Sequence, residues 1–146
     1  MLKQLAVGGG VSLLNIAIHA MFMAMVVAGV RSRSAVVSQR HPVARLLVVM
    51  ISTVTVLMVA HTIEVGVWAI SYRLFEVVPE SVSAFYFAFV NYATLGYGDV
   101  LPAESWRLIG PITAMNGMLL FGLSTAVIFE ALRVTAIRLH LHMDPG

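Results

Sequence analysis

Cysteine is absent from this 146-residue chain, so thiol usage gives no reading of redox compartment. Charge is scarce as well. Asp, Glu, Lys and Arg make up 11% of the residues and no long polar tract occurs, which excludes a separate cytosolic sensor domain within this sequence. No segment carries arginines at every third position, excluding a helix that moves charge in response to membrane potential. His61 and Glu64 do not form the H-E-x-x-H pattern of a zinc hydrolase, and no third ligand stands at suitable spacing. What is present is apolar: hydrophobic residues reach 60% and mean hydropathy is +0.92, outside the range of soluble domains. The chain is an integral membrane protein.

Three apolar runs organise it, from about Ala6 to Val30, Ala44 to Phe75 and Trp106 to Leu132. Each exceeds the roughly 20 residues a helix needs to cross the hydrocarbon core. Between the second and third lies Ser81 to Ala93, introduced by the helix-start signals Pro79 and Ser81. At about 13 residues it is too short to span and reads as a re-entrant helix. The expected fold is all-α: three transmembrane helices plus a re-entrant helix and the loop that follows it. Arg31, Arg33, Arg40 and Arg45 cluster between the first two spans, and Arg133 and Arg138 follow the third, which places both regions in the cytoplasm. The N-terminus then lies outside, opposed weakly by Lys3. A cleavable signal peptide is the competing reading of Met1 to Val30; no small-x-small cleavage site stands out, and the arginine-rich flank favours retention.

The loop Thr94-Leu95-Gly96-Tyr97-Gly98-Asp99 is the most informative stretch. Carbonyls of successive residues face one axis only if the backbone visits positive φ, which glycine does without steric cost. Thr94 adds a hydroxyl oxygen at the inner end and Asp99 an anionic group at the outer mouth. A glycine-rich turn is the bland reading of such a hexapeptide. In a membrane chain behind a re-entrant helix, it resembles the selectivity filter of potassium channels.

The likeness covers about Ser81 to Ala131 well, and the second span by position. Trp106 occupies the place where two-helix bacterial channels begin their inner helix with a tryptophan, and the glycines Gly117 and Gly122, followed by the small-polar Ser124-Thr125-Ala126, look like the family's inner-helix stretch. The resemblance implies a pore domain (42–139), beside which the first apolar run and the basic link (residues 1–41) stand as an extra N-terminal helix, and a short tail (140–146) holds His140 and His142. Within the pore domain it implies an outer helix 44–75, pore helix 81–93, filter 94–99 and inner helix 105–135. It implies a homotetramer, since such a pore needs four filters and this chain has one. Potassium would be coordinated at Thr94, Leu95, Gly96 and Tyr97, with Gly98 completing the filter. Identical subunits, membrane lipids and K+ are the expected partners, with no nucleic acid, no cofactor and no enzymatic activity; the expected location is a bacterial inner membrane. By the same likeness Gly117 is a hinge, with close helix packing as the alternative. Thr125 would face a water-filled cavity. Phe129, one turn further, is a candidate constriction closing by dewetting, with lipid-facing packing as the alternative.

Two positions depart from the pattern. Leu95 stands where valine is commonest, so a bulkier side chain must pack behind the filter; a weakly selective monovalent cation channel is the alternative if it distorts the carbonyls. Val90 stands where some bacterial channels place a glutamate supporting the filter aspartate, and Tyr86, one turn earlier, is the candidate to hydrogen-bond Asp99 instead. A non-conducting subunit or membrane scaffold is the alternative from a different class. At the outer mouth Glu76, Glu80, Asp99 and Glu104 outnumber Arg73 and Arg107, which repeated around a tetramer would concentrate cations.

Inside the membrane, Glu64 lies 11 residues before Phe75, and Asn116 lies 10 residues after Trp106. Both are thus roughly 15 Å below the outer boundary. His61 is one turn from Glu64 on the same face, and counting inward along the first span brings Asn15 and His19 to a similar depth. Ionisable groups there require partners, so a polar cluster of His61, Glu64 and Asn116 with His19 or Asn15 is expected. Interhelical hydrogen bonding, pH-sensitive gating and metal binding are its possible roles.

Overall fold

A computed structural model describes residues 1–33 and 42–140 of the chain. Arg40 of the basic link and His142 of the tail lie outside the described residues. Four helices follow in order: α1 (Leu2–Arg33), α2 (Pro42–Leu74), the short α3 (Ala84–Tyr92) and α4 (Ile109–His140), with a 3-10 turn at Glu104–Trp106 before α4. The three long helices run 32, 33 and 32 residues, about 48 Å each at the helical rise, enough to cross the hydrocarbon core and project beyond it. All are apolar around most of their circumference. Only narrow stripes are buried within the chain, as expected where lipid rather than water covers the remainder.

Lipid is as apolar as leucine, so burial of hydrocarbon does little to bring such helices together; close packing through small residues and interhelical hydrogen bonds takes its place. Gly8 of α1 is one such point, where an added Cβ would lie 2.8 Å from Ile112 of α4. At the same end Gln4 accepts a hydrogen bond from the Leu108 backbone N–H at 2.7 Å, and the Lys3 ammonium sits 4.9 Å from the centre of the Trp106 ring. The N-terminus therefore lies at the end of the bundle that carries the start of α4. α1 packs against α2 and α4, while α3 is wedged between α2 and α4.

The core gathers around that wedge. Trp68 and Tyr72 of α2, Phe87, Ala88 and Tyr92 of α3, and Ile109 and Leu120 of α4 are buried in one cluster. A smaller cluster of Val26, Leu57 and Val127 joins α1, α2 and α4 toward the other end. Two helix starts fall later than the sequence expectation. α3 begins at Ala84 rather than at 81, capped by Ser83, whose hydroxyl accepts from the Tyr86 N–H at 3.3 Å. Residues 79–82 stay outside the helix because the Arg73 guanidinium draws on their carbonyls: it donates to Pro79 at 3.0 Å, to Glu80 at 3.4 Å and to Val82. α4 begins at Ile109 rather than at 105, and the buried Trp106 belongs to the separate 3-10 turn.

Candidate functional site

The loop after α3 is launched by the way that helix ends. Leu95 N–H bonds the Val90 carbonyl and Thr94 N–H bonds the Asn91 carbonyl, both at 2.9 Å, the paired bonds of a Schellman cap. That cap needs a left-handed residue at its C′ position, and Thr94 fills it with φ +61. A non-glycine residue is held there at a cost of about 1–2 kcal/mol. Gly96 and Gly98 follow at φ +54 and +76, while Leu95 and Tyr97 between them keep negative φ. Left-handed residues at alternate positions cancel the zigzag of an extended chain and turn successive carbonyls toward one side. Residues 94–99 are all exposed, Leu95 at 52% and Tyr97 at 65%. Irregular backbone at membrane depth is tolerated only in protein or against water, so both faces of this loop call for neighbours the single chain does not supply.

Asp99 is held at the far end of the loop. The Tyr86 hydroxyl donates to Asp99 Oδ2 at 2.6 Å, and Asp99 Oδ1 accepts from the Val100 N–H at 3.1 Å. The carboxylate pushes the Tyr86 phenol above its ordinary pKa, so the phenol keeps the proton it donates across the neutral range. Val90 is buried and contributes its carbonyl to the Schellman cap. Glu104 and Arg107 pair with each other at 3.0 Å while remaining well exposed. Glu76 occupies a turn at φ +54.

α4 presents two faces. Thr113, Asn116, Leu120, Ser124, Val127 and Ala131, at helical spacing, are buried against the rest of the chain. Met118, Gly122, Thr125 and Phe129 lie on the exposed side, Phe129 at 64%. Thr125 returns its hydroxyl to the Phe121 carbonyl at 2.9 Å, which leaves an oxygen lone pair outward. Gly117 is where α4 meets the end of α3. A Cβ there would stand 2.1 Å from the Tyr92 carbonyl oxygen, so close packing alone requires glycine, whereas nothing lies within 4 Å of a Cβ at Gly122.

Behind the loop, polar side chains of all four helices meet. Asn15 Nδ2 donates to the Glu64 carbonyl and to Asn116 Oδ1, both at 3.2 Å, and the Trp68 indole N–H donates to the same Asn116 oxygen at 3.0 Å. Glu64 carries one imidazole on each carboxylate oxygen: His19 Nδ1 lies 2.8 Å from Oε1 and His61 Nδ1 lies 3.0 Å from Oε2. The Tyr92 hydroxyl donates to Oε2 at 2.5 Å. His61 Nε2 then reaches Ser124 Oγ at 2.9 Å, and the same hydroxyl lies 3.3 Å from His19 Nε2. Glu64, His19, Asn15 and Asn116 are at most 1% exposed. Among the described residues, Asn15 Oδ1 alone is a buried side-chain polar atom without a partner.

The structure thus brings Asn15, His19, His61, Glu64 and Asn116 into one contiguous set, and Tyr86 onto Asp99. Ser124, Tyr92 and Trp68 were not anticipated as members. Ser124 had a signal, since it lies eight residues after Asn116 and shares its helical face. Tyr92 had none: its hydroxyl reaches the set only through the angle at which α3 enters the bundle.

The family model described as an ion channel matches residues 46–134, more than half of the chain. No curated protein and no solved structure matches it.

Proposed function

Because the chain belongs to the ion channel family, of the two-helix potassium-channel type, we propose that it is a potassium-selective channel assembled from four identical chains. The observation that carries the reading is the left-handed backbone at Thr94, Gly96 and Gly98, every second residue of a loop exposed on all sides. In a tetramer, four such loops meet and their carbonyls at Thr94, Leu95, Gly96 and Tyr97 replace the hydration shell of K+, the transported ion. Conduction is passive and involves no catalytic step or cofactor. Gly98 turns the chain out of the filter, and Asp99, held by Tyr86, fixes its outer end. The C-terminal end of α3 points its negative dipole at the ion. Thr125 lines the cavity below, and Phe129 forms the hydrophobic constriction that closes by dewetting. The N-terminus lies outside and the arginine-rich ends lie in the cytoplasm.

Leu95 decides selectivity. Its side chain is half exposed and has to be packed by the neighbouring subunit. The test is ion flux through the purified protein in liposomes, driven by potassium, then by sodium, with external barium as blocker. Barium-sensitive flux that strongly prefers potassium is the expected result. Comparable sodium flux would replace the reading with a relaxed monovalent cation filter. Recovery only of mixed complexes that do not conduct would replace it with a scaffold subunit.

A further inference from the structure

The hydrogen bonds around Glu64 close on themselves. The cycle passes from Glu64 Oε2 to Tyr92 (2.5 Å), from Tyr92 to His61 Nδ1 (2.8 Å), from His61 Nε2 to Ser124 (2.9 Å), from Ser124 to His19 Nε2 (3.3 Å), and from His19 Nδ1 back to Glu64 Oε1 (2.8 Å). Each of these five links needs one hydrogen. With the carboxylate ionised and both imidazoles neutral, the members supply four: one hydroxyl hydrogen each from Tyr92 and Ser124, and one N–H from each histidine. The set is one proton short.

The position of the gap follows. With the Tyr92 hydroxyl given to Glu64 Oε2, both Nδ1 atoms face acceptors and carry hydrogen, and both bare Nε2 atoms then compete for the single Ser124 O–H. A fifth proton removes the conflict in either of two ways. Placed on one imidazole, it donates to Ser124 Oγ while Ser124 donates to the other ring. Placed on Glu64, it runs round the cycle in one sense, from carboxyl to Tyr92, His61, Ser124 and His19. In both arrangements every link is made and the net charge is zero. Without it, one imidazole nitrogen is unpaired and a net negative charge sits at the depth where charge is most costly.

We infer that Glu64, Tyr92, His61, Ser124 and His19 form a binding site for one proton, which completes a closed hydrogen-bond ring tying α1 to the end of the pore helix. The titratable groups facing the ring are His19 from α1, His61 and Glu64 from α2, and Tyr92 from α3; α4 contributes Ser124 and, beside it, Asn116, neither of which titrates. Tyr92 stands two residues before Thr94, and its carbonyl is pressed on Gly117, so an incomplete ring loosens the base of the filter loop.

The test uses the full chain in lipid bilayers. Solid-state 15N and 13C NMR, with His19, His61 and Glu64 assigned, counts protons at about pH 7.5, where unperturbed groups would give an ionised carboxylate and neutral imidazoles. The expected result is one proton in excess of that, as an imidazolium or a protonated carboxyl. In Glu64→Gln the amide both donates and accepts, the ring closes without the extra proton, and both imidazoles read neutral. An ionised Glu64 beside two neutral rings in the unmodified chain overturns the proposal. A second readout rests on the channel reading above: potassium flux of the unmodified chain is lost as pH rises far enough to remove the proton, and that loss is absent from Glu64→Gln. Identical pH profiles overturn the coupling to the filter. Were no flux seen at any pH, the channel reading would fail and the NMR count alone would decide the site.

Discussion

Replacing Gly117 with alanine puts one methyl group where the structure has no room. The new Cβ would stand 2.1 Å from the Tyr92 carbonyl oxygen and 3.0 Å from its carbon, against the 3.4 Å at which ordinary contact begins, so α4 and the end of α3 have to separate by about 1 Å. The obstacle is backbone and cannot rotate away. Overpacking of this kind costs about 1–3 kcal/mol, and here the displaced atom belongs to the residue that precedes the cap launching the loop 94–99. A graded series isolates the cause. In Gly8→Ala the nearest atom is Ile112 Cγ2 at 2.8 Å, the branch of a side chain that can repack, so the loss is smaller. In Gly122→Ala nothing lies within 4 Å, and the better helix propensity of alanine leaves stability unchanged or raises it by about 0.5–1 kcal/mol. Thermal unfolding of the protein in nanodiscs ranks the three variants, and potassium and sodium flux reads the loop that we propose as the filter. The expected order of damage is Gly117, then Gly8, then Gly122, with ion preference lost only at Gly117. A Gly117→Ala protein with the stability and ion preference of the parent would refute the packing argument, as would Gly122→Ala proving the most harmful.

In Tyr86→Phe the hydrogen bond to Asp99 is removed and the ring kept; sustained potassium flux is expected to decay faster while stability changes little, and an unchanged time course would show that Asp99 needs no such support. Thr94→Gly relieves the left-handed strain of about 1–2 kcal/mol but deletes the hydroxyl that we propose as the innermost oxygen ligand, so unfolding temperature is held or raised while barium block weakens. Asn116→Leu leaves the Asn15 amide and the Trp68 indole without their shared acceptor; at about 0.6–2 kcal/mol per interhelical bond in a membrane, a loss of about 1–4 kcal/mol in thermal or denaturant unfolding is expected.

The three spans and the short helix were legible because length and apolarity in a bilayer leave few alternatives, and the polar set was legible because depth can be counted from helix ends at a fixed rise. Helix starts were not. Pro79 and Ser81 read as a helix start because sequence inspection does not see Arg73 taking the carbonyls of residues 79, 80 and 82. α4 starts late for a related reason, since the Leu108 N–H is satisfied by Gln4, a partner 104 positions away. Glycine spacing alone left Gly117 open between bending and packing. The contact with Tyr92, which depends on where α3 ends in space, supplies the packing reason.

One residue belongs at once to a helix cap and to the start of the loop 94–99. Thr94 closes α3 through its bond to Asn91, and its left-handed turn is already the first step of the alternation that Gly96 and Gly98 continue. No spacer stands between the two elements, so there is no slack in which an error of placement could be absorbed. The aim of the loop is inherited from the helix, as the direction of a barrel is from its mount. A single residue inserted between Tyr92 and Thr94 would rotate the whole row of carbonyls by about 100° about the helix axis, far more than any side-chain adjustment within the loop could restore.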